Sequence, residues 1–137
     1  MKIITWNING LKSAVENGDF NQLLNKQIDI ICLQEVKISD EEYIKSIIPI
    51  DYNIYINKAE KKGYSGVAVL SKKKANKVQY KIGINRFDEE GRYILLEFDE
   101  FILYNLYIPH GGRDKKNLEY KLNVCEEIIH KFKSDIL

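Results

Sequence analysis

This chain predicts a layered α/β domain, with a mainly antiparallel mixed sheet and flanking helices. Three observations carry that expectation. Early in the chain, the apolar runs Lys2-Ile3-Ile4-Thr5-Trp6 and Ile28-Asp29-Ile30-Ile31-Cys32-Leu33 alternate with stretches of helical spacing. Later, strand-like runs rich in β-branched and aromatic residues follow one another across short turns. With 137 residues, 45% hydrophobic and 30% charged, the chain suits a single domain with a real core rather than a disordered tract.

The first strand is expected over 2–7, where it runs into Asn7-Ile8-Asn9-Gly10. A helix follows within 11–26, its apolar face marked by Phe20, Leu23 and Leu24 and interrupted at Gly18-Asp19. A second buried strand covers 28–35 and surfaces at Leu33-Gln34-Glu35-Val36-Lys37. Ser39-Asp40-Glu41-Glu42 opens a helix over 39–48, with a capping side chain and acids at the positive end of the dipole, and Pro49 ends it. Strands are expected near 52–57, 65–71 and 77–83, then a hairpin of 92–98 with 101–108 turning at Asp99-Glu100. The last helix spans about 115–133, and Asp135-Ile136-Leu137 reads as the first step into another strand, as if the domain continued.

Composition narrows the function only slightly. Net charge is +1, so bulk charge selects no partner. Lys61-Lys62, Lys72-Lys73-Lys74 and Arg113-Asp114-Lys115-Lys116 fall at expected loops, where lysine clusters are ordinarily solvated surface but can meet a phosphate backbone. No run approaches the roughly 20 apolar residues of a membrane span, so no membrane partner is expected, and the N-terminus has no signal-peptide pattern. Cys32 and Cys125 form neither a disulfide framework nor a zinc spacing, which fits a reducing cytoplasm. No internal repeat or linker divides 1–137.

The chemistry lies where the two early strands surface. Asn7, Asn9 and Glu35 offer two amides and a carboxylate, a donor set for a hard cation such as magnesium, which takes oxygen ligands and keeps several waters. Alone, an asparagine-rich turn and a glutamate after a strand are ordinary surface features. Trp6 reads as packing beneath the strand end, Cys32 as a small buried apolar residue, and His130 as a helix-surface residue.

Five ordered segments add to this. They are Thr5-Trp6-Asn7-Ile8-Asn9-Gly10-Leu11, Leu33-Gln34-Glu35-Val36-Lys37, Gly63-Tyr64-Ser65-Gly66-Val67-Ala68, Asp88-Glu89-Glu90-Gly91-Arg92 and Tyr104-Asn105-Leu106-Tyr107-Ile108-Pro109. Together they resemble the exonuclease III and apurinic/apyrimidinic endonuclease family, over the whole chain but only about the first half of that family's length. The resemblance implies a two-sheet α/β sandwich with its site across the top of both sheets, of which 1–137 would supply roughly one sheet and its helices.

By the same resemblance, Glu35 is the magnesium-binding glutamate, and Asn7 helps hold the metal or its water and the phosphate. Asn9 lies close to that cluster, and Tyr107 places its hydroxyl against the scissile phosphate. Lys37 falls near the metal or the DNA backbone, while Tyr64, Arg113 and Lys12 touch duplex DNA. His110 stands where many relatives carry a phosphate-contacting asparagine, and Tyr104 is structural. The implied activity is magnesium-dependent hydrolysis of phosphodiesters in double-stranded DNA at abasic sites or 3' ends, with Mn2+ as the other usable ion. The family's Gly-Asp-x-Asn and Ser-Asp-His stretches do not occur here, so the chain alone is expected to be inactive and marginally stable without a complementary C-terminal half. The competing expectations are a non-catalytic DNA-binding or assembly module and a lipid phosphoesterase of the same fold.

Overall fold

A computed structural model describes residues 1–136. Its strands β1 (Ile3–Asn7), β2 (Ile30–Gln34), β3 (Asn53–Asn57) and β4 (Val67–Ser71) form one sheet in the order β1-β2-β4-β3. Strands β5 (Lys77–Gln79), β6 (Tyr93–Glu97) and β7 (Ile102–Leu106) form a second, wholly antiparallel one. The one mixed sheet expected for this chain is therefore two. Residue alternation tells which faces of a strand are buried, but not which neighbour it pairs with.

In β2, Ile31 and Leu33 point to a core under the helices, whereas Ile30 and Cys32 point to the other sheet. Ile94 and Leu96 of β6 meet that second group, so the middle of the sandwich lies between the sheets. Tyr93 and Leu95 on the opposite face of β6 pack against Val124 and Ile128. The result is four layers: helices, sheet, sheet, helices. Burial on both faces explains why β2 and β4 are nearly continuous apolar runs.

The helices on the first sheet are α1 (Leu11–Glu16), α2 (Asp19–Leu24) and α3 (Glu41–Ile47). The expected single helix in 11–26 is split at Gly18, which takes a φ of +82° and caps α2. α1 and α2 supply the crossover that a parallel β1–β2 pair requires. α3 begins where its cap predicts, with Asp40 Oδ1 accepting from the Glu42 amide at 2.9 Å. On the other side are α4 (Asn85–Glu89) and α5 (Lys115–Ile136).

The expected 77–83 strand stops at Gln79, and after an irregular stretch the chain forms α4, which is not among the expected elements. Phe87 alone is its buried apolar residue, too little for a helical pattern. α5 takes in Asp135 and Ile136, so these two residues continue a helix rather than enter a strand; Leu137 lies outside the described residues. Tyr104 is structural as expected. It packs edge-on to Tyr93 and Phe132, with ring centroids 6.3 and 4.4 Å away.

Two buried amides fasten the sheets together near the site. Gln34 Nε2 donates to Asn105 Oδ1 at 2.7 Å and to Thr5 Oγ1 at 2.9 Å. Asn105 Nδ2 in turn donates to the carbonyls of Leu33 and Ala68 at 3.1 and 2.9 Å. Such groups are tolerated in a core because both amide nitrogens and the Asn105 side-chain oxygen find partners within the sandwich.

Candidate active site

Register brings the polar strand ends together. Asn7 pairs with Gln34 at the last rung of β1 and β2, so Asn7 and Glu35 emerge side by side. Across the sandwich, β7 continues for one more rung, the Tyr107 amide donating to the Arg92 carbonyl at 2.9 Å. That extension carries Tyr107 over the same end.

Glu35 is the centre of the cluster. Its Oε1 accepts from the Tyr107 hydroxyl at 2.6 Å and from Asn7 Nδ2 at 2.9 Å. Lys37 Nζ lies 3.4 Å from the other oxygen, Oε2, and donates to Asn9 Oδ1 at 2.7 Å. Asn7 Oδ1 accepts from the Asn9 amide at 3.2 Å, closing the turn after β1. Glu35 and Lys37 both adopt left-handed backbone, at φ of +52° and +51°. Bonds from Gly10 N to Glu35 O, Val36 N to Gly66 O and Lys37 N to Ser65 O, at 2.8 to 3.1 Å, hold that conformation.

The electrostatics follow from these partners. The Tyr107 hydroxyl first, then the Asn7 amide, hold the Glu35 carboxyl below the ordinary carboxylate range against its partial desolvation. Desolvation and the bond to Glu35 push the Tyr107 phenol up, so it stays protonated at neutral pH despite the nearby Arg92 guanidinium. The pair is thus one carboxylate and one neutral hydroxyl donor.

The chemistry of the donor set suits a divalent ion. Glu35 is ionised, its side chain is 20% exposed, and Oε2 has only a lysine at ion-pair distance. An ion reaching it would meet one carboxylate, nearby amide oxygens and water, which suits magnesium and its retained water shell. Among the described residues no three His, Cys, Asp or Glu come together, so these side chains fit part of a coordination sphere rather than a closed cage.

Of the residues expected at the site, Asn7, Asn9, Glu35, Lys37 and Tyr107 are in mutual contact. Tyr64, 36% exposed, joins indirectly, its hydroxyl accepting from Arg92 Nη2 at 3.2 Å. Lys12 lines an adjoining cleft with Lys37, Ser39, Asp40 and Tyr43 but makes no bond to the cluster. Arg113 is exposed on the turn past Pro109 and is not drawn into it. His110 Nδ1 accepts from the Gly112 amide at 2.9 Å, shaping that turn. Trp6 is partly buried against the helix-side core, and Cys32 is buried, where desolvation pushes its thiol up to about 11. Glu90 and Arg92 carry no role in the sequence reading although their segment stands out in it, because charged residues on either side of a glycine read as surface.

The sequence profile of the Endonuclease/Exonuclease/phosphatase family matches residues 4–131. The chain is 42% identical over 130 residues to an exodeoxyribonuclease of Bacillus subtilis (strain 168), a match covering 94% of this chain and 51% of that protein. It is 41% identical over 123 residues to a DNA-(apurinic or apyrimidinic site) endonuclease of Dictyostelium discoideum, covering 89% of this chain and 34% of the other. The crystal structure of the Xenopus laevis APE2 catalytic domain superimposes with a TM-score of 0.77 at 26% identity, over 93% of this chain and 52% of that one. The chain spans about half the length, or less, of the relatives it matches.

Proposed function

The chain belongs to the endonuclease/exonuclease/phosphatase family, and from that premise we propose that it is the N-terminal portion of a magnesium-dependent DNA-repair nuclease. Its substrate would be duplex DNA, cut at abasic sites or 3' ends. One observation carries this reading: the Tyr107 hydroxyl and the Asn7 amide, from opposite sheets, converge on one oxygen of an ionised Glu35.

The residues divide the work of phosphodiester hydrolysis. A divalent ion held by Glu35, with Asn7 beside it, would neutralise charge on the phosphoryl oxygens. Tyr107 keeps its proton at neutral pH and is a hydrogen-bond donor for charge that builds on the phosphate. Asn7 orients oxygen groups without adding charge. Lys37, at the edge of the cluster, and Lys12, in the cleft beside it, supply sequence-independent attraction to the phosphate backbone. An abasic nucleotide costs less to extrude than a paired one, so recognition of such a lesion needs little base readout.

No side chain in this set is placed to activate the attacking water: Glu35 is already engaged by Tyr107 and Asn7. A missing general base costs about a hundred- to ten-thousand-fold. The proposal therefore includes a complementary C-terminal portion that completes the site, matching the length relation with the relatives.

The test is cleavage of abasic and 3'-recessed duplexes in magnesium, by the chain alone and after co-refolding with the remaining C-terminal portion of the Bacillus subtilis relative. Cleavage only in the complemented sample, abolished by EDTA, is expected. Salt-dependent duplex binding without cleavage in either sample would favour a non-catalytic module. Cleavage of lipid phosphates in preference to DNA would favour another phosphoesterase.

A further inference from the structure

We propose that Arg92 is a positioning residue, which holds Tyr107 against Glu35 and ties it to the loop carrying Tyr64. The residue stands just before β6 and is 4% exposed, so its guanidinium is taken out of water and must be matched by partners. Nε donates to Glu90 Oε2 at 2.5 Å, which meets the charge requirement by itself. The other donors go elsewhere. Nη1 donates to the Tyr107 carbonyl at 3.2 Å and Nη2 to the Tyr64 hydroxyl at 3.2 Å. The guanidinium carbon also lies 4.4 Å from the centroid of the Tyr107 ring. One planar group thus fixes both the backbone and the ring of the residue whose hydroxyl reaches Glu35.

The support behind Arg92 is rigid. Glu90 accepts from Arg86 Nε at 3.0 Å and from the Tyr120 hydroxyl at 3.1 Å, which braces it from α4 and α5. Gly91, at φ of +59°, lies so close to Asn57 and Lys58 that an added Cβ would come within 2.5 Å of the Lys58 carbonyl carbon. The Glu60 amide donates to the Glu89 carbonyl at 2.8 Å, and the Gly66 amide to the Glu90 carbonyl at 3.3 Å, so the loop between β3 and β4 grips this turn near both of its ends. Arg92 therefore links the two sheets directly beneath Tyr107. A lysine would preserve the charge but not the planar fork that spans three partners.

The inference rests on the functional reading only for the importance of Tyr107; the arrangement itself is tested without DNA or metal, so loss of the nuclease reading would leave the result interpretable. The probe is the nuclear Overhauser contact between the Tyr107 ring and the Glu35 side chain, with the Tyr104–Phe132 contact as an internal control. Arg92→Met should abolish the Tyr107–Glu35 contact and keep the control. Persistence of both in the folded variant would overturn the proposal. Should Arg92→Met fail to fold, Arg92→Lys applies the same test: a weakened Tyr107–Glu35 contact supports the role, and an unchanged one overturns it.

Discussion

Glu35 and Lys37 sit in left-handed backbone on either side of the buried Val36. For residues with a Cβ, each such conformation costs on the order of 1–3 kcal/mol, and it persists where surrounding bonds enforce it. Here the enforcement comes from the turns after β1 and before β4, and its product is the direction of two charged side chains. The state of the Glu35 carboxyl has a consequence for pH. Its folded pKa is depressed, so its contribution to stability is present above the unfolded value, about 4.3, and is lost as pH falls through the lower folded value. The stability difference between the wild type and Glu35→Gln should shrink as pH drops from 7 through that range, as urea unfolding at a series of pH values would measure. Lys37→Ala should weaken duplex binding similarly across sequences and reduce the slope of log affinity against log salt by about 1. Asn7, Glu35 and Tyr107 were legible because polar residues end otherwise apolar strands and fall in ordered motifs. Arg92 was not, because burial of a charge shows only once Tyr64, Glu90 and Tyr107 are assembled around it.

Among the elements, the Glu90-Gly91-Arg92 turn is the most constrained. Gly91→Ala would add a Cβ into the backbone of the neighbouring turn and force a left-handed φ on alanine. Steric overpacking costs about 1–3 kcal/mol, with about 1–2 kcal/mol more for the backbone, so the variant should melt at a clearly lower temperature or fail to fold. Leu122→Glu makes the opposite case. On the outer side of α5, Leu118, Leu122 and Ile129 are about half exposed, and the acid should change the isolated chain's stability by less than about 0.5 kcal/mol in urea unfolding. The strands and the capped α3 could be read in advance from apolar runs and an Asp40 cap. The interruption at Gly18-Asp19 was legible too, but that it ends one helix and caps another shows only in the backbone angle of Gly18. α4 carries a single buried apolar side chain, which no periodicity can reveal.

Taken whole, the molecule places its chemistry where two sheets meet at one end, and the Gln34–Asn105 bridge beneath it keeps those ends in register. The allocation of strands to two sheets could not be read from alternation, since Ile94 and Leu96 would look equally apolar beside either sheet. The site's position could, because the ends of β1 and β2 lie side by side in a parallel pairing of the two. The most direct test compares cleavage of an abasic duplex in magnesium by the complemented chain, by its Glu35→Gln variant and by its Tyr107→Phe variant, each with the fold verified. The predicted result is a loss of about 10²–10³-fold for Tyr107→Phe, and at least about 10²-fold for Glu35→Gln, with substrate binding largely kept. Cleavage at the wild-type rate by a folded Glu35→Gln chain would contradict the assignment of this strand-end cluster as the site of hydrolysis.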